Sequence, residues 1–370
     1  MANQTNPFLE LAAPGIEDLK PYLPGKPIAE LERELGISHS IKLASNENPL
    51  GVSEKVIEAI CQYAPELSRY PDGGGYRLRQ RLAEKHAVDP ACITLGNGSN
   101  DVLDMVARVF LSPHVESLFS EYAFAVYPIS SQAVGARLAV APAKDYGHDL
   151  DRMLQMITPR TRVIWIANPN NPTGTRLTET ELYSFLLQLP DHLIVVIDEA
   201  YFEYVQARNF PDATAWLERF PHLIVTRTFS KAYGLASLRI GYGLSSAAIA
   251  DLLNRVRQPF NVNALAQSAA LAALDDQDFI RRSIALNNKG MQQYQQGFET
   301  LGLDYIPSVA NFIAVDVGED AQKVDRALLR EGCITRPIAN YGLPNHLRIS
   351  VGLEEENDRL LTTLKKVLKR

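Results

Sequence analysis

The sequence predicts an α/β protein built on a mostly parallel sheet covered by helices. Three observations predict it. Short apolar runs rich in Val and Ile occur at residues 163–167, 193–197 and 223–226. Helical stretches, such as residues 179–189, separate some of them. None of the runs alternates apolar with polar residues, which is the pattern of strands buried on both faces.

The elements follow in order. Residues 1–50 are rich in Pro and Gly, have little periodicity beyond residues 28–35, and read as an arm or an irregular part of a smaller domain. Ser53 can cap a helix whose Val56, Ile57, Ile60 and Tyr63 share one face. The loop Arg69-Tyr70-Pro71-Asp72-Gly73-Gly74-Gly75 then leads to a helix over 77–87. Residues 93–95 read as a strand, followed by a glycine turn and a helix over 100–111. Residues 239–243 form a shorter strand, at an edge or antiparallel. Beyond Ala264 a long helical region runs to about residue 301. Strands follow at 312–317 and 347–351. The last helix, over 354–369, begins acidic and ends basic, which complements its dipole.

Composition narrows the function. At 370 residues the chain exceeds one minimal core and is expected to form two domains. A net charge of −6, with no basic run of five, gives no support for nucleic-acid binding. Cys61, Cys92 and Cys333 are odd in number and far apart, so a reducing compartment is expected rather than a disulfide framework. No apolar stretch approaches membrane-spanning length, and the first ten residues lack an apolar signal core. The expectation is a cytoplasmic protein of enzyme size, with no metal, membrane or nucleic-acid partner.

In an open α/β sheet, ligands bind beyond the carboxyl ends of the strands. Four segments fall at such ends. Gly96-Asn97-Gly98-Ser99-Asn100 could offer backbone N–H groups to a phosphate, though alone it reads rather as a plain strand-to-helix turn. Asn168-Pro169-Asn170-Asn171-Pro172-Thr173-Gly174 is turn chemistry by any account. Asp198 ends the most apolar strand; it is either a satisfied polar residue or a counter-ion for a pyridine nitrogen. Lys231, in Thr228-Phe229-Ser230-Lys231-Ala232-Tyr233-Gly234, lies between two hydroxyls, with Arg239 eight residues on. A deprotonated lysine forms Schiff bases, and hydroxyls with an arginine hold a phosphate ester. Together they describe pyridoxal 5'-phosphate, a carbonyl cofactor that carries a phosphate.

The joint order of these motifs resembles the fold-type I pyridoxal-phosphate aminotransferases. More narrowly, Leu43 to Gly51, Arg69 to Gly75 and Thr228 to Tyr242 look like the histidinol-phosphate aminotransferases. That resemblance implies a large domain at 52–270 with a mostly parallel seven-stranded sheet. Residues 1–51 and 271–370 would form an arm and a smaller α/β domain. It implies that Lys231 carries the cofactor and moves the reacting proton. Asp198 would pair with the ring nitrogen, Asn171 and Tyr201 would hold the phenolic oxygen, and Phe124 would stack on the ring. Thr228, Ser230, Arg239, Gly98 and Ser99 would hold the phosphate, and Tyr70 would reach the phosphate of a neighbouring subunit in a homodimer. Tyr22, Asn46, Phe260, Arg336 and Arg348 would face the substrates, histidinol phosphate and 2-oxoglutarate or glutamate. Phe260 stands where the resemblance leads one to expect a tyrosine, so broader acceptance of aromatic amino acids is a further expectation. The competing readings are an aromatic or prephenate aminotransferase, a threonine-phosphate decarboxylase, and a non-catalytic regulator that binds the same cofactor.

Overall fold

The computed structural model describes residues 6–22 and 24–370; residues 1–5 of the expected arm and residue 23 lie outside them. Helix α1 (Ile28–Leu35) and the short strand β1 (Ile41–Lys42) come first. Helix α2 (Glu54–Tyr63) starts at Ser53, whose hydroxyl accepts from Val56 N at 3.3 Å, and α3 (Tyr76–His86) follows the triple-glycine loop. Ile57 departs from the expected buried face and is exposed, as are Leu67, Tyr70 and Tyr76 nearby.

The central sheet has seven strands: β2 (Ile93–Gly96), β3 (Glu116–Ser120), β4 (Arg137–Ala141), β5 (Thr161–Ala167), β6 (Ile194–Asp198), β7 (Leu223–Thr228) and β8 (Gly241–Leu244). Their order is β2-β8-β7-β6-β5-β3-β4. Every neighbouring pair is parallel except the two that involve β8. The strand expected at 239–243 is therefore antiparallel but interior, not an edge. Its glycines permit that place: a Cβ at Gly241 would stand 2.3 Å from Ser99 N, and one at Gly243 2.8 Å from Val102. Strands β3 and β4 were not legible as apolar runs. In β3 the polar Ser117 is buried, and its hydroxyl meets Trp165 Nε1 at 2.8 Å and Ser131 at 2.7 Å.

Helices α4 (Ser99–Phe110), α5 (Val126–Ala133), α6 (Leu150–Gln155), α7 (Glu179–Leu186) and α8 (Ala247–Val256) connect or follow these strands. Alternation along the strands splits the core in two. Val163, Trp165, Val196 and Ile224 pack in one cluster with α4 and Tyr127 of α5. Ile164, Ile166, Val195, Ile197, Leu223 and Val225 pack in the other, with α3, α7 and α9 (Ala264–Leu274). Burying each such side chain contributes roughly 1.5–3 kcal/mol, so the sheet is the stable frame of the site.

The long helical region expected beyond Ala264 is two helices, α9 and α10 (Gln277–Thr300). They part at Asp276, whose carboxylate caps α10 by accepting from Phe279 N at 3.2 Å. Helix α10 begins in the main core with Phe279 and Ile280 and ends in another with Tyr294 and Phe298. That further core packs α11 (Ala321–Arg330) and α12 (Glu354–Leu368) on a four-stranded antiparallel sheet. The strands beyond α10 are β9 (Tyr305–Ile306), β10 (Phe312–Asp316), β11 (Cys333–Ile334), β12 (Arg336–Ile338) and β13 (Leu343–Ser350). The sheet order is β12-β13-β10-β9, while β11 pairs with β1. No helix among the described residues is long and apolar enough to cross a membrane.

Candidate active site

The carboxyl ends of β5, β6 and β7 open on a cleft of about 220 Å³. Strand parity decides which side chains enter it. Asp198 shares the face of Val196, and Thr226 and Thr228 share that of Ile224, so all three point to the α4–α5 side. Asp198 is 4% exposed. Its Oδ1 accepts from Thr226 Oγ1 at 2.8 Å and its Oδ2 from the Tyr127 hydroxyl at 2.9 Å. Burial pushes the Asp198 carboxyl up; the two hydroxyls and the nearby Lys231 charge pull it back.

Lys231 follows β7 on a loop that turns back through Gly234. At φ +74° a Cβ on Gly234 would meet Gly51 O at 2.1 Å, so only glycine fits that turn. Lys231 Nζ donates to Ser45 O at 3.2 Å and lies 5.8 Å from the Tyr201 ring centre. Burial lowers its pKa to about 8, with help from the charges of Arg348, Arg239 and Lys42 and against the pull of Glu47. Such an amine is a usable nucleophile and base near neutral pH.

Beside it, the buried Tyr201 hydroxyl accepts from Asn46 Nδ2 at 2.9 Å and Asn171 Nδ2 at 3.2 Å. Burial pushes that hydroxyl up to about 12, with the Arg348 charge and the Asn46 hydrogen bond opposing. The phenol therefore keeps its proton and can donate it to an acceptor in the cleft. Arg348, 6% exposed on β13, donates to Asn171 Oδ1 at 2.6 Å and Ala44 O at 2.9 Å. Its Nε has no hydrogen-bond partner among the described residues. This arginine is a fixed, desolvated cation in the cleft wall.

The far end of the cleft is built for an anion. Gly98, at φ +80°, precedes α4, and a Cβ there would stand 2.5 Å from the Arg239 guanidinium. Arg239 itself is held in the left-handed region at φ 55°. Its NH1 donates to Ala236 O at 3.0 Å and to Ser230 Oγ at 3.4 Å. Thr228 Oγ1 accepts from Ser230 N at 3.1 Å. A glycine that leaves room, a helix N-terminus, two hydroxyls and an arginine fit a phosphate ester.

Of the residues singled out in the sequence, the cleft wall gathers Tyr22, Asn46, Ser99, Phe124, Asn171, Asp198, Tyr201, Thr228, Ser230, Lys231, Arg239, Arg336 and Arg348. Gly98 borders it through Arg239. Arg336 lies 5.6 Å from the ring centre of Tyr22, which is half exposed at the mouth. Two residues are not brought in. Tyr70, 81% exposed, stacks on Phe260, 45% exposed, with ring centres 4.7 Å apart, and neither lines this chain's own cleft. The sequence reading gave no role to Tyr127, Thr226 or Ser45. The signal for Tyr127 was its place three residues after Phe124, one turn along the start of α5.

A family model described as aminotransferase class I and II matches residues 38–364. Histidinol-phosphate aminotransferase 2 of Pseudomonas aeruginosa is 59% identical over 363 residues, covering 98% of each chain. A crystal structure of histidinol-phosphate aminotransferase from Sinorhizobium meliloti, in complex with pyridoxal-5'-phosphate, superposes with a TM-score of 0.89. It is 30% identical and covers 96% of this chain and 97% of that one. An L-threonine-O-3-phosphate decarboxylase from Porphyromonas gingivalis, 22% identical, shares the fold at a TM-score of 0.78, covering 89% of this chain and all of that one.

Proposed function

We propose, because the chain belongs to the class I and II aminotransferase family, that it exchanges an amino group between L-histidinol phosphate and 2-oxoglutarate. The products are imidazole-acetol phosphate and L-glutamate, and the reaction serves histidine synthesis. The observation that carries this reading is the 59% identity over nearly the whole chain to a relative of that activity. The decarboxylase likeness is one of fold alone.

The cofactor is pyridoxal 5'-phosphate, and the cleft fits it. Lys231 would hold its aldehyde carbon and Asp198 its ring nitrogen. Asn171 and Tyr201 would hold the phenolic oxygen, Phe124 the ring face, and Gly98, Ser99, Thr228, Ser230 and Arg239 the phosphate. When bound, the cofactor supplies an electron sink for the pair left on the substrate α-carbon. The chain's own residues do the rest. The Lys231 amine, neutral for an appreciable fraction of the time because of its desolvation, would take the proton from the substrate α-carbon and return it to the cofactor carbon on the far side of the substrate nitrogen. Burial pushes the Asp198 carboxyl up, and the two hydroxyls that donate to it oppose that shift and favour its anionic form. Arg348, already fixed by Asn171 and Ala44, offers its free edge to the substrate's anionic group, with Arg336 at the mouth beside Tyr22.

Homodimerisation is part of the proposal. Tyr70 and Phe260 stand exposed as a stacked pair, and Ile57, Leu67 and Tyr76, near Tyr70 in the sequence, are exposed as well; a second copy would cover such apolar side chains. Tyr70 would then serve the partner's cofactor phosphate. The division into 52–270 and 1–51 with 271–370, and a cytoplasmic location, belong to the same reading. Mixing the holoenzyme with L-histidinol phosphate and following the cofactor's visible absorbance tests the substrate. Bleaching by histidinol phosphate is the expected result; bleaching by tyrosine alone would transfer the proposal to an aromatic substrate.

A further inference from the structure

Tyr127 is fully buried, and its hydroxyl has a single side-chain partner among the described residues, Asp198 Oδ2. The ring stacks on Trp165 with centres 5.2 Å apart and meets Phe124 edge-on at 5.8 Å. Trp165 is fixed in turn by its Nε1 bond to Ser117. Tyr127 N donates to Phe124 O at 3.0 Å, so one helical turn at the start of α5 carries both aromatics. Thr226, from β7, secures the other oxygen of Asp198. Two hydroxyls from two elements thus fix the plane of one carboxylate, each using one lone pair per oxygen and leaving others open to the cleft. The remaining titratable groups facing Asp198 are Lys231 and Tyr201.

We infer that Tyr127 is a positioning residue for the cofactor, acting through Asp198: its hydroxyl fixes and preserves the carboxylate that meets the cofactor ring nitrogen. The inference rests on the proposed cofactor reading. It differs from ordinary core packing, in which a buried tyrosine hydroxyl merely finds an acceptor. In that case loss of the hydroxyl costs the same whatever stands at 198. In the positioning case the cost runs through the carboxylate and disappears with it.

The test is a double-mutant cycle of Tyr127→Phe and Asp198→Asn. The readouts are equilibrium affinity for pyridoxal 5'-phosphate, its pH dependence, and thermal unfolding of the apoproteins. In the wild-type background Tyr127→Phe is expected to weaken affinity roughly 10- to 100-fold, the range of a hydrogen bond to a charged group. The acid limb of the affinity profile moves to higher pH, because a lost donor favours the protonated carboxyl. In the Asp198→Asn background the same substitution changes affinity by less than about twofold. Equal losses in both backgrounds, or an unmoved acid limb, would overturn the inference. Failure of the wild-type protein to bind pyridoxal 5'-phosphate would instead defeat the cofactor reading on which it rests.

Discussion

Lowering the pH from 9 to 6 should switch off the Lys231 amine well below the range where an ordinary lysine titrates. Its amine lies in the cleft floor with one carbonyl partner and with Arg348, Arg239 and Lys42 adding positive potential, which brings its pKa to about 8. At pH 7 a group with that pKa is neutral about one time in eleven, against roughly one in three thousand for an unperturbed lysine, a gain of about 300-fold. Competitive acetylation of the apoprotein with trace acetic anhydride, followed by peptide mapping, reads that fraction directly for each lysine. The Lys231 peptide should show half-maximal reactivity near pH 8, against roughly 10.4 for a free lysine-like amine standard. Replacing Glu47 by Gln removes a charge that favours the protonated form and should move the Lys231 midpoint lower still. The linkage has a definite sign. The folded pKa is depressed, so the unfolded chain binds more protons between about pH 8 and the unfolded value of 10.5, and apoprotein stability rises with pH across that window. A Lys231 midpoint at or above 10, or a Glu47→Gln shift upward, would refute the desolvation argument.

Two other expectations concern the phosphate end and the second subunit. Gly98→Ala forces a Cβ toward the Arg239 guanidinium in a nearly glycine-only backbone region that costs an alanine roughly 1–3 kcal/mol, so affinity for pyridoxal 5'-phosphate should fall at least about tenfold. Fluorescence titration checks it, and unchanged affinity would remove Gly98 from the cradle. If Tyr70 serves the partner's site, Tyr70→Ala and Lys231→Ala proteins, each nearly inactive, should recover about a quarter of wild-type activity when unfolded and refolded together. In a mixed dimer one site carries both defects and the other carries neither. No recovery, with mixed dimers present by mass, would refute shared sites.

Much of this fold was legible because its strands are buried on both faces and its motifs end strands. Strands β5, β6 and β7 came through as apolar runs, and Asp198 and Lys231 came through as chemistry at their ends. What failed to show had physical reasons. Strand β3 hides behind Glu116 and Ser117, whose polarity suits a strand only once Thr158 partners the one and Trp165 and Ser131 the other. The break between α9 and α10 depends on one aspartate choosing a cap over a helical turn. Tyr127 and Thr226 were invisible as site residues because they touch another side chain rather than a ligand.

The neighbouring acids Asp198 and Glu199 end β6 with different tasks. Successive residues of a strand face opposite sides of the sheet, so the two side chains enter opposite cores. Asp198 falls on the cleft side with Thr226. Glu199 falls on the other, where it accepts from Arg227 at 2.7 and 2.9 Å and from Ala213 N at 3.0 Å. Arg227 is spoken for again by Asp212 at 2.7 Å and by the Phe202 ring, 3.5 Å below the guanidinium. That pair closes the underside of the sheet, and removing Arg227 would strand the buried Glu199, a cost of roughly 3–5 kcal/mol. A one-residue slip of β6 would exchange the two acids and place the longer side chain in the cleft. The chemistry of Asp198 is therefore set by its register against β5 and β7, pinned from beneath by Glu199 and Arg227 and from above by Tyr127 and Thr226.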